Sequence, residues 1–78
     1  MATSRGDDEL VELAVAPNEV VAALWRGVLE EAGIPALVKV LGLGHAYWSA
    51  FAAEHALYVR RRDSARAWEL LEALEAEP

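Results

Sequence analysis

The sequence predicts an α+β fold in which two helices cover one face of a three-stranded antiparallel sheet. Three observations carry that prediction. Apolar residues recur at every second position in three short segments, and at three- and four-residue steps in two longer ones. These segments follow one another in the order β-α-β-β-α, and Pro, Gly, Asn or Asp-Ser marks most of the junctions between them.

Residues 1–9, MATSRGDDE, are small, polar and charged, and are expected to form a disordered tail ahead of a single α+β domain over 10–76. They contain no apolar stretch of the kind a signal peptide needs, and no run in the chain approaches the length of a membrane-spanning helix, so a cytoplasmic location is expected. Leu10 to Ala16, LVELAVA, reads as the first strand, with Val11, Leu13 and Val15 on its buried face. Pro17 breaks it, and Asn18 is a natural cap for the helix that follows, because its side-chain oxygen can accept from an unpaired amide of the first turn. In that helix Val21, Leu24, Trp25, Val28, Leu29 and Ala32 form the apolar stripe, opposite Glu19, Arg26, Glu30 and Glu31.

Gly33 suits the left-handed closing position of a helix, and Ile34-Pro35 forces an extended restart. Ala36 to Leu41 is the second strand, alternating Ala36, Val38 and Val40 with Leu37, Lys39 and Leu41. His55 to Val59 is the third, with Leu57 and Val59 inward and Ala56 and Tyr58 outward. Asp63 and Ser64 are cap candidates for a second helix carrying Ala67, Leu70, Leu71 and Leu74 at helical spacing.

A right-handed β-α-β crossover followed by a hairpin lets the third strand lie between the first two, giving the order 1-3-2. That is a ferredoxin-like sandwich without its fourth strand, and the edge of the first strand is left open. Burial is worth about 115 kcal/mol by area scaling, against about 117 kcal/mol for ordering the chain. A domain so marginal gains from self-association. The chain has no cysteine, which excludes disulfides and thiolate metal sites, and its net charge of -6 disfavours nucleic acid and anionic membrane as partners.

Several of these segments resemble a known family. They are Asn18-Glu19 at the start of the first helix, LWRGVLEEAGIP over Leu24 to Pro35, Leu57-Tyr58-Val59, Asp63-Ser64-Ala65, and Ala67 to Leu71. Together, over residues 10 to 75, they are similar to small bacterial domains described as prokaryotic signal-transducing proteins of unknown function, PII-like in fold. The resemblance implies the fold and a role in signal transduction. It carries no catalytic residue, and the phosphate-binding and modification loops of PII proteins have no counterpart in this sequence.

The candidate sites are few. Tyr47, Trp48 and Phe51 stand together in the glycine-flanked segment 42–54, where no core pattern requires them. They are expected to cover the open sheet face over Ala14, Leu37, Leu41, Ala56 and Tyr58, to form a self-association surface, or to bind a ligand or partner. Arg60, Arg61 and Arg62 precede the second helix, and could hold a small anion with its first amides; the alternative is a solvated run paired with nearby acids. Glu54, His55 and His45 are too few and wrongly spaced for a metal or acid-base centre, since neighbours on a strand point to opposite faces. Trp25 belongs to the core stripe, whereas Trp68 is displaced from the stripe of its helix and suits a core edge or an interface.

No catalytic residue, metal or cofactor is called for. The expected function is a non-enzymatic binding or regulatory module acting as a homo-oligomer. The alternative is a structural or protein-interaction domain that uses the open β1 edge and the aromatic 42–54 segment.

Overall fold

The computed structural model describes residues 4–42 and 53–76. In chain order these form α1 (Ser4–Asp8), β1 (Leu10–Ala16), α2 (Glu19–Glu31), β2 (Leu37–Val40), β3 (His55–Arg60), a 3-10 turn (Arg61–Asp63) and α3 (Ser64–Ala76). The strands form one antiparallel sheet in the order β1-β3-β2. The expected α+β sandwich with a 1-3-2 sheet is therefore the fold of the protein. No helix among the described residues is long and apolar enough to cross a membrane.

The inward face is set by β3. Its Leu57 and Val59 are fully buried, and they pack with Ala22 and Leu29 of α2 and Ala67 and Leu71 of α3 in one cluster. Both helices therefore lie on the same side of the sheet. On the other side the register groups Leu10 with Arg60, Glu12 with Tyr58 and Leu37, and Val15 with Ala56 and Lys39.

Strand β1 departs from simple alternation. Glu12 pairs with Tyr58 and Ala14 with Leu57, so Leu13 is an extra residue in a β-bulge. Beyond the bulge the faces exchange. Leu13 and Ala14 both pack against the core, while Val15, expected inside, stands on the outer face and is 39% exposed. Ala14 accordingly leaves the outer-face set given above, and Val15 replaces it.

Both ends of α2 are closed as the sequence indicates. The Val21 amide donates to Asn18 Oδ1 at 2.9 Å. At the other end Gly33 adopts φ +85, and the amides of Gly33 and Ile34 donate to the carbonyls of Glu30 and Leu29 at 3.0 and 2.9 Å. This paired closure brings Ile34 back beside Leu29 in the core. One residue of the expected stripe points elsewhere: Leu24 is 54% exposed, and with Val20 at 58% it forms a second, outward apolar strip on the same helix.

The start of α3 also differs from expectation. The chain leaves β3 directly into the 3-10 turn, and the Ser64 hydroxyl donates back to the Arg61 carbonyl at 2.8 Å. Ser64 is itself helical, and the capping position of the 3-10 turn ahead of it is Arg60, which supplies no side-chain cap. Before β1, the expected tail contains the short helix α1, and the Arg61 amide donates to the Glu9 carbonyl at 2.8 Å, extending the β1-β3 ladder by one residue.

The two faces of α2 predict opposite outcomes for the same substitution. Leu29→Ala, at a fully buried position, should cost about 2–5 kcal/mol by chemical denaturation. Leu24→Ala should change stability by less than about 0.5 kcal/mol. Equal losses at the two positions would contradict the orientation of the helix.

Candidate binding site at the open sheet edge

Hydrogen-bond alternation identifies what β1 leaves free. In an antiparallel ladder, pairs that exchange backbone bonds alternate with pairs that do not. The Arg61 amide bonds to Glu9, and on the opposite side of β3 the Leu41 amide bonds to the Glu54 carbonyl at 2.9 Å. Odd-numbered residues of β3 therefore bond toward β1 and even-numbered ones toward β2. On β1 this assigns Val11, Ala14 and Ala16 to the ladder and turns the N–H and C=O groups of Leu10, Glu12 and Val15 away from the sheet. Among the described residues no strand pairs with that side.

A groove of about 380 Å³ runs beside this edge on the helix-covered face. Its floor is Leu13 and Ala14, brought there together by the bulge, and Val15 continues it along the strand. Trp25 enters from α2. Trp68, Leu71, Glu72 and Glu75 enter from α3, where Leu71 and Glu72 lie three and four residues after Trp68 and four and three before Glu75, which aligns them on one side of the helix. Trp68 is 48% exposed, so much of its indole faces solvent at the rim. The sequence marks Trp68 as displaced from the core stripe. It does not show that Trp25, from a different helix, ends beside the same groove.

A second cleft, of about 440 Å³, lies between α2 and the β2-β3 hairpin, with Glu19, Arg26, Glu30, Val40 and His55 in its wall. His55 is 4% exposed, and its Nδ1 lies 2.7 Å from the Ala53 carbonyl oxygen. Because a carbonyl only accepts, Nδ1 carries the proton and donates. Glu54, its neighbour, is exposed. Arg26 is engaged with Glu30 at 3.0 Å along the helix. Among the described residues no group of three or more His, Cys, Asp or Glu is placed to hold a metal ion.

The arginine run is divided among different tasks. Arg61 donates to Glu9 Oε1 at 2.9 Å and to the Gly6 carbonyl at 3.2 Å, and Arg62 pairs with Asp8 at 2.9 Å. Arg60 sits half-buried at the end of β3, opposite Leu10 on the outer face. Two of the three guanidiniums thus hold α1 against the start of the 3-10 turn, and an anion would have to displace Glu9 and Asp8 to reach them. Both pairs are solvent-exposed, so each contributes at most about 1 kcal/mol. Tyr47, Trp48, Phe51 and His45 lie outside the described residues.

No family model, curated protein or solved structure matches the chain, and the candidate site accordingly stands on its own geometry.

Proposed function

We propose that this protein is a non-enzymatic binding and regulatory module that takes up an extended segment of a partner along β1. The observation that supports this reading is the coincidence of two features on one strand. The edge offers the backbone groups of Leu10, Glu12 and Val15 for pairing, and the groove under Trp25 and Trp68 offers a place for a side chain of the incoming strand. Strand addition uses these two elements: backbone pairing gives affinity, and a cavity for alternate side chains gives selectivity. A role in signal transduction, implied by the family resemblance, fits a module of this kind. Tyr47, Trp48 and Phe51, as a ligand or partner surface, remain part of the proposal without carrying it.

The test is a display library of random octapeptides selected on the immobilised protein, with hydrogen exchange measured on the selected complexes. Bound peptides should slow exchange at the amides of Leu10, Glu12 and Val15 above all others. Selected peptides that protect α2 or the β2 edge instead would overturn the assignment.

A specific observation favours self-association by a different surface. Val20 and Leu24 are exposed on α2, with Ala23 and Gly27 beside them, and a side chain at Gly27 would meet nothing within 4 Å. Small residues flanking large apolar ones let two such helices approach closely, in a homodimer that leaves β1 free. Sedimentation at high micromolar concentration should then show a dimer for the wild type and a monomer for Leu24→Glu, with unchanged circular dichroism. A wild type that stays monomeric contradicts this reading.

A further inference from the structure

The chemistry of the partner follows from what surrounds β1, and it rests on the reading of β1 as a docking edge. A strand laid beside β1 places alternate side chains on the two faces of the sheet. On the helix-covered face they meet Trp68 with Glu72 and Glu75, and on the other face Glu12 between Leu10 and Val15. Carboxylates therefore stand on both sides of the incoming strand. Glu12, Glu72 and Glu75 are all exposed, and none takes part in an ion pair among the described residues. The groove lining contains no lysine or arginine.

A second copy of the chain suits this edge poorly. Two-fold pairing of β1 with itself would bring the two α3 stripes together across the axis, and Glu12, Glu72 and Glu75 would meet like charges on a chain of net charge -6. Opposite charge suits it well. Arginine and lysine can also lay their aliphatic stems on the exposed indole of Trp68 while their charged ends reach the acids.

We propose that the segment bound along β1 is a basic extended peptide from a partner protein. One aliphatic or aromatic side chain enters the groove between Trp25 and Trp68. A Lys or Arg two residues away, on the same face, meets Glu72 and Glu75, and a Lys or Arg next to the apolar residue meets Glu12 on the opposite face. The backbone supplies the common part of the affinity, and the carboxylates select the charge.

Three octapeptides test this. They share a Val/Thr frame around one central Tyr, and the residues one and two positions after that Tyr are both Lys, both Thr or both Glu, so that one faces Glu12 and the other Glu72 and Glu75. Binding is measured at low salt to the wild type and to the E72Q/E75Q variant, with hydrogen exchange on each complex. The Lys peptide should bind the wild type about tenfold more tightly than the Thr peptide, the Glu peptide should bind weakest, and added salt should narrow the differences. E72Q/E75Q should remove most of the preference for Lys while the Thr peptide keeps its affinity. Equal binding of all three peptides, with Leu10, Glu12 and Val15 protected, would overturn the charge selection and leave the docking edge standing. A Lys preference that survives E72Q/E75Q unchanged would overturn the placement of the cations. Absence of protection at β1 with every peptide would overturn both.

Discussion

The structure depends on the position of β3 as the interior strand of the sheet that the described residues form. Three strands in one sheet satisfy both sides of one strand alone, and among the described residues the odd residues of β3 bond to β1 and the even ones to β2. The same strand supplies Leu57 and Val59, fully buried side chains on which the two helices meet. Burial at the centre and openness at the rim are thus one arrangement seen from two directions. A fourth strand beside β1 would have closed the edge, and the described chain passes instead into α3, whose Trp68, Glu72 and Glu75 overhang it.

An open edge is a hazard as well as an opportunity, and β1 carries devices that restrict what can pair with it. The bulge at Leu13 interrupts the ladder and sharpens the local twist, which works against flat, indiscriminate stacking of strands. Glu12 places a charge at the middle of the strand. The bulge also delivers two consecutive apolar residues, Leu13 and Ala14, to the helix-covered face, so the irregularity that protects the edge builds the groove beside it.

Much of the fold was legible in the sequence because its strongest signals are local. Asn18 and Gly33 occur where a helix must satisfy its end groups, and the structure uses both in that way. Period-two and helical spacing gave the order of elements, and chain connectivity then admits few sheet topologies. Three features were not legible, each for a different reason. No glycine or proline marks the bulge, and Leu13, Ala14 and Val15 are all apolar, so the exchange of faces leaves no trace in the pattern. Leu24 fits the core stripe by spacing, yet α2 carries apolar residues around more than half its circumference, and only packing against β3 decides which of them turn inward. The partners of Arg61 and Arg62 lie more than fifty residues away, and no local rule reaches that far. The candidate site was half visible: the open edge followed from the strand count, while the meeting of Trp25 and Trp68 required the crossing of two helices.

The central claim is that β1 presents unpaired backbone groups in the free protein. Residue-resolved hydrogen exchange without any ligand tests it most directly. Strand β1 should show an alternating record, with the amides of Val11 and Ala16 slowed together with those of Leu57 and Val59, and the amides of Leu10, Glu12 and Val15 exchanging near the rate of unstructured peptide. Uniform protection along Leu10–Ala16 would show that the edge is already covered and would contradict the account.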